Sequence, residues 1–290
     1  MRFESPETLD AAVSLLAGET GVAKVLAGGT DLLVQLRSGA PRPELIVDIK
    51  RIAETRRIAE EDGGFRIGAA VAGAEMGEHE GLKAAWPGVV EAMELIGSTQ
   101  IQGRATPGGN LCNGSPAADC VPALVAARAT ARIVGPDGPR DVAVEDVVEG
   151  PGKTILKRGE FVASFFLPSP EKGQADAYLR FIPRTEMDIA VVGCGVCLTV
   201  NATGTCTDAR VALGAVGPRV IVANQAAEGL IGTPLDDTAL DRLKSAASAA
   251  AQPIDDKRGT ADFRRKVAGV LARRAAAAAR DRATSAKEHA

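Results

Sequence analysis

Two short glycine-paired segments carry the chemistry of this sequence. The first, Ala27-Gly28-Gly29-Thr30-Asp31-Leu32, follows residues 22–26, whose β-branched content reads as a strand. It precedes residues 31–37, where leucines at 32, 33 and 36 have helical spacing and Thr30 or Asp31 can cap the start. Strand, glycine turn and helix together form a physical recipe for holding phosphate. Glycine lets the backbone approach closely and adopt positive φ. A helix start offers unpaired N–H donors and a favourable dipole. Taken alone, the same pattern also fits an ordinary turn. The second segment, Thr106-Pro107-Gly108-Gly109-Asn110-Leu111, runs on through Cys112-Asn113-Gly114-Ser115-Pro116-Ala117-Ala118-Asp119. It combines adjacent glycines with hydroxyl and amide side chains and a carboxylate at a helix start. Two such loops can clamp the two phosphates of a dinucleotide from opposite sides. Asp119 suits ribose or ribityl hydroxyls, because a carboxylate only accepts hydrogen bonds. Ser115-Pro116 also reads as a helix cap with a first-turn proline, and both roles can hold together.

Positioning these loops requires a strand at 45–49, a strand at 65–71 and a helix at 86–96. The segment 97–119 reads as a long loop feeding an alanine-rich helix that ends near Ala129. Further strands are expected at 132–134 and 161–167. Pro168-Ser169-Pro170-Glu171-Lys172-Gly173 is punctuated like a linker, and the domain boundary is placed there. Beyond it, 189–200 and 209–216 read as paired strands around the turn Asn201-Ala202-Thr203-Gly204. Helices follow at 238–251 and 260–279. Arg264, Arg265, Lys266, Arg273 and Arg274 give the last helix a basic outer face that reads as solvated, with a partner-binding surface as the alternative. The residues from Arg280 onward read as a frayed tail.

Composition narrows the function classes. The 290 residues allow one large domain or two ordinary ones, and 46% hydrophobic with 24% charged residues is a globular balance. A net charge of −3 and 3% aromatics argue against nucleic acid. No apolar run is long enough to cross a bilayer, and the N-terminus has no signal core, so a cytoplasmic protein is expected. The two histidines, His79 and His289, are too few for most metal sites and read as solvated residues. The five cysteines suggest no disulfide framework. Val192-Gly193-Cys194-Gly195-Val196-Cys197 contains Gly-x-Gly and Cys-x-x-Cys. Leu198 stands where a Rossmann fingerprint needs its third glycine. On a strand, positions 194 and 197 point to opposite faces, which favours small buried thiols over a shared metal. No Ser/His/Asp or Cys/His nucleophile arrangement is present.

The loops Ala27–Leu32 and Thr106–Leu111, with Ser115-Pro116-Ala117-Ala118-Asp119, resemble the paired FAD loops of the medium subunits of the molybdenum hydroxylases. These include the carbon monoxide dehydrogenases, 4-hydroxybenzoyl-CoA reductases and bacterial xanthine dehydrogenases. The resemblance covers nearly the whole chain. The stretch from Gly159-Glu160-Phe161-Val162 to Pro168 resembles the strand closing the FAD domain. Residues 180–190, ending Met187-Asp188-Ile189-Ala190, resemble the entry to the C-terminal flavoprotein domain, and Asp262-Phe263-Arg264-Arg265 its last helix. The resemblance implies an α+β fold: a p-cresol methylhydroxylase-type FAD domain of two α/β subdomains over 1–170, then a small α+β domain with an antiparallel sheet over 174–280, and a tail at 281–290.

By position, Val25, Leu26, Ala27, Gly28, Gly29, Thr30, Asp31 and Leu32 would line one side of the diphosphate, and Thr106, Gly108, Gly109 and Asn110 the other. Ser115 belongs to the same cofactor-binding set. Asp119 would hold the sugar-like part of FAD, Val162 would touch the adenine or ring wall, and Arg180 would lie near the flavin ring. Ile96 stands where some relatives carry a stacking aromatic, Gln102 where many have arginine, and Pro107 where a small aliphatic is commoner. The implied function is an electron-transfer subunit with FAD as its cofactor and no metal of its own. A small [2Fe-2S] subunit would deliver electrons from a molybdopterin-containing large subunit, within a dimer of heterotrimers. A stand-alone FAD oxidoreductase, and a binding protein with a vestigial flavin site, are the competing readings.

Overall fold

The computed structural model describes residues 1–39, 41–184 and 186–285. The first unit comprises β1 (Arg2–Glu4), α1 (Leu9–Gly18), β2 (Ala23–Leu26), α2 (Leu32–Arg37) and β3 (Leu45–Asp48). Its three strands form a parallel sheet in the order β1-β3-β2. Leu45, Val47 and Ile49 join Ala12 and Leu16 of α1 in a small core that extends to Phe161.

The second unit begins with β4 (Ile58–Glu61) and β5 (Gly64–Gly68). Six helices follow: α3 (Gly73–Glu78), α4 (Glu80–Ala85), α5 (Pro87–Glu94), α6 (Thr99–Gln102), α7 (Pro107–Cys112) and α8 (Cys120–Ala126). Next come β6 (Thr130–Val134), β7 (Arg140–Ala143), α9 (Val144–Val147), β8 (Val148–Gly150), β9 (Lys153–Thr154) and β10 (Phe161–Pro168). The main sheet runs β4-β5-β10-β6-β7, so β10 arrives last in sequence and occupies the centre. Its apolar run Phe161–Leu167, interrupted only by the buried Ser164, matches a strand covered on both faces.

The segment expected to be a long loop between 97 and 119 holds two helices instead, α6 and α7. Two glycines give α7 little intrinsic propensity. Thr106 caps it, Pro107 occupies its first position, and α8 packs against it. Pro107 is therefore a helix starter.

The last unit is β11 (Gln174–Phe181), β12 (Val192–Val200), β13 (Cys206–Gly214), β14 (Ile221–Val222), α10 (Asn224–Glu228), α11 (Asp237–Ala250) and α12 (Ala261–Ser285). The strands form one antiparallel sheet in chain order. One face packs on α10–α12, and the other joins the core of the second unit through Tyr178, Cys197 and Ala212. All nine residues of β12 are buried. Cys194 lies in the helix-covered core and Cys197 in the opposite one, as the strand period requires.

The expected frayed tail differs. The last helix continues through Ser285 because Arg280 donates to Leu235 O and Arg282 donates to Asp176 O and pairs with Glu91. Residues 286–290, including His289, lie outside the described residues. The basic outer face holds only in part, since Arg264 is turned inward against Ala215 O and Asp256.

Candidate functional site

A cavity of about 600 Å³ opens between the parallel sheet, α7 and the segment joining β9 to β10. At its centre the chain leaves β2 and turns into α2. Among the described residues, the backbone N–H groups of Gly28, Gly29, Thr30 and Asp31 donate to no protein group. Gly29 has φ of +82°, a conformation that glycine adopts without strain. Lys50 braces the start of the turn by donating to Ala27 O at 3.0 Å while pairing with Asp48 at 2.7 Å. Four consecutive open donors on a cavity wall make a receptor for anionic oxygens.

The second motif is built differently. Gly108 N donates to Ala69 O at 3.1 Å, Gly109 N to Thr106 Oγ1 at 3.1 Å and Asn110 N to Thr106 O at 2.9 Å. Its first-turn donors are thus engaged within the protein. This wall offers close approach and side chains rather than N–H groups. A Cβ on Gly28 would lie 2.0 Å from Arg104 O, so that glycine lets the two motifs touch backbone to backbone. Gly109 would meet only Thr106 Oγ1, at 3.0 Å. Asn110 Oδ1 accepts from Cys120 N at 3.1 Å, which fixes α7 to α8. Gln35 Nε2 donates to Asn113 Oδ1 at 2.9 Å and links the far ends of the two motifs.

The cavity brings together Val25, Ala27, Gly28, Gly29, Thr30, Asp31, Leu32, Ile96, Thr106, Gly108, Gly109, Asn110 and Val162. Leu26, Ser115, Asp119 and Arg180 are not among its lining residues. Leu26 sits beneath the turn, its Cδ1 2.8 Å from a Cβ placed on Gly29. Ser115 Oγ accepts from Ala117 N at 3.2 Å, so it caps a turn, and α8 begins only at Cys120. Asp119 accepts from Tyr178 Oη and Arg180 Nη1, both at 2.9 Å. Gln102 Nε2 donates to Glu94 O.

A third wall is formed by Gly152, Thr154, Leu156 and the run 157–161, of which the sequence motif marks only Gly159–Phe161, as the start of the closing strand. The Lys157-Arg158-Gly159 turn before an apolar strand was its available signal.

The chemistry on offer is binding chemistry. Burial pushes the Cys112 thiol at the cavity up to about 12, which keeps it protonated. Burial likewise raises the Asp31 carboxyl. His79 accepts from Leu82 N at 3.0 Å, capping α4 rather than standing free in solvent. Among the described residues no group of His, Cys, Asp and Glu could hold a metal ion.

Comparison with known proteins gives a consistent picture. Residues 1–170 match the family model described as the FAD binding domain in molybdopterin dehydrogenase. Residues 177–279 match the CO dehydrogenase flavoprotein C-terminal domain. The carbon monoxide dehydrogenase medium chain of Afipia carboxidovorans is 34% identical over 282 residues, covering 97% of each chain. The xanthine dehydrogenase FAD-binding subunit of Escherichia coli O157:H7 is 33% identical over 264 residues, covering 90% of each. Among solved structures, a Cu,Mo-CO dehydrogenase chain superposes with a TM-score of 0.91 at 33% identity, covering 97% of this chain and 98% of that one. A chain of quinoline 2-oxidoreductase from Pseudomonas putida 86 gives 0.89 at 25% identity, covering 98% of both.

Proposed function

This chain belongs to the family of FAD-binding subunits of molybdopterin dehydrogenases, and from that premise we propose how its own residues hold FAD and what it exchanges electrons with. The row of open N–H groups at Gly28–Asp31 carries the reading, since four consecutive unengaged donors on the cavity wall suit the oxygens of a diphosphate. Thr106, Gly108, Gly109 and Asn110 hold the opposite side at close range. Val25, Ile96 and Val162 supply apolar walls that exclude water from a ring system. Asp119 and Arg180 stand behind this lining at the junction with the C-terminal sheet. Residues 1–170 form the FAD domain and 174–280 the C-terminal domain, with Arg282 of the continuing helix tying the two together.

FAD, when bound, supplies reversible electron transfer that no side chain lining the cavity can perform. The relatives are flavin subunits of multi-subunit molybdenum hydroxylases, which favours an electron relay over a stand-alone oxidoreductase. The relay receives electrons from the iron–sulfur clusters of a small subunit, which are filled by a molybdenum-containing large subunit. It passes them to an external acceptor. The assembly is a dimer of heterotrimers in the cytoplasm. Among the described residues no helix is long and apolar enough to cross a membrane.

The test is an absorption spectrum of the chain after incubation with FAD and desalting, alone and co-purified with its native partners. Near-stoichiometric flavin bands in the complex are expected. A complex that carries molybdenum and iron–sulfur clusters but no flavin would overturn the reading.

A further inference from the structure

Asp119 holds a buried carboxylate between two donors from one strand. It precedes the first residue of α8 yet makes no side-chain cap bond to that helix. Oδ1 accepts from Tyr178 Oη and Oδ2 from Arg180 Nη1, each at 2.9 Å. Residues 178 and 180 are two apart on β11, so they face the same side of the C-terminal sheet. The neighbouring strand is cut away to admit them. A Cβ on Gly193 would lie 2.6 Å from Tyr178 Oη, and one on Gly195 would lie 2.4 Å from Pro122 O of α8. The Gly-x-Gly of β12 is therefore a saddle for the tyrosine and for the start of α8. Ala215 N donates to Pro116 O at 2.7 Å, docking the preceding turn on the same domain.

The consequence reaches the cavity. Cys120 N, one residue beyond Asp119, donates to Asn110 Oδ1, and Asn110 lines the cavity. The Arg180 side chain is 5% exposed, and its Nε is a buried donor without a partner among the described residues. A guanidinium held this way without a carboxylate would be a buried, unpaired charge.

We infer that Tyr178 is a positioning residue of the flavin site: with Arg180 it locks Asp119, and through α8 it sets where Asn110 stands against the cofactor. This rests on reading the cavity as the FAD site. Burial, and then the neighbouring Asp119 charge, push the Tyr178 hydroxyl well above its usual range, so it remains a donor at every working pH. Burial raises the Asp119 carboxyl, while Arg180 and the tyrosine oppose that rise. The Cys120 thiol on α8 interacts with both Asp119 and Tyr178, and the Cys112 thiol on α7 interacts with Cys120.

The test uses Tyr178→Phe, which keeps the ring and removes the hydroxyl, in the full chain co-purified with its partners. Three readouts are taken: FAD dissociation followed by flavin fluorescence, the pH at which FAD is released on acidification, and the thermal midpoint. Losing one hydrogen bond to a charged group predicts FAD binding weakened by about tenfold. Without its second donor Asp119 takes up a proton more readily, so the acid-release midpoint moves upward. In an Asp119→Asn background the same Tyr178→Phe change should produce no further pH shift. Unchanged affinity and an unchanged release pH, with only a lower thermal midpoint, would overturn the inference and leave Tyr178 as packing. If Tyr178→Phe fails to accumulate, Arg180→Lys serves instead, because it keeps the charge but loses the guanidinium geometry. Affinity and release pH like the wild type there would equally overturn it. A wild-type complex that holds no FAD would overturn the functional reading as well, so the two failures are distinguishable.

Discussion

The two glycine pairs of this protein look interchangeable in sequence and do opposite work in space. At Gly28-Gly29 the chain leaves a strand and keeps four consecutive N–H groups unengaged on the cavity wall. At Gly108-Gly109 the chain has already entered a helix, and its first donors are taken by Ala69 O, Thr106 Oγ1 and Thr106 O. One pair supplies hydrogen-bond donors. The other supplies thinness at Gly108, so that the helix can press against Ala69, whereas in the first pair Gly28 adds to the open donors a close approach to Arg104 O. A glycine pair is therefore evidence of a crowded backbone. Whether it is also evidence of anion binding depends on where the neighbouring N–H groups go.

Substitutions can break or sharpen this contrast. Gly28→Ala forces a Cβ to 2.0 Å from Arg104 O, a backbone atom that cannot swing away. It should abolish FAD retention and cost ~3 kcal/mol or more of stability, seen in chemical denaturation. Gly29→Ala places alanine at φ of +82°. It should cost about 1–2 kcal/mol and weaken FAD retention severalfold. Thr106→Ala removes the cap of α7, with an expected loss of about 1 kcal/mol, while leaving the N–H row at Gly28–Asp31 intact. Its FAD retention should fall less than that of Gly28→Ala, since Thr106 lines the cavity but the open N–H row is unchanged. Gly109→Ala is the sharpest case. Its Cβ meets only Thr106 Oγ1, and alanine suits a helix better by up to ~1 kcal/mol, so the apo chain should hold or gain stability. FAD retention should still fall, because the methyl stands at the cavity wall. If Gly109→Ala destabilised the apo chain as much as Gly28→Ala, the distinction between the two pairs would collapse.

The elements were legible where local pattern and burial agree. The strand at β2, the helical leucines of α2, the long apolar run of β10 and the turn at Asn201–Gly204 all follow short-range rules. Cys194 and Cys197 could be assigned to opposite faces from a period of two alone, and each lies in a different core. Legibility failed where a contact distant in sequence decides. The α7 helix has two glycines and little propensity, and it forms because Ala69 and α8 receive it. Residues 280–285 read as a charged tail, yet Arg282 reaches back 191 residues to Glu91. Arg264 sits among surface-type residues and is buried, because Ala215 O and Asp256 receive it.

By itself, then, the sequence determined the two glycine-paired segments and the strand and helix that carry the first of them, but not the helix that carries the second. Glycine, proline, capping residues and apolar period all act within a few residues, so they can be read along the chain. The tertiary structure alone decided which N–H groups stay open, that the run 157–161 closes the third wall, and that Asp119 sits between Tyr178 and Arg180 of another unit. Those outcomes depend on which backbone meets which across tens of residues, and no local preference encodes that meeting.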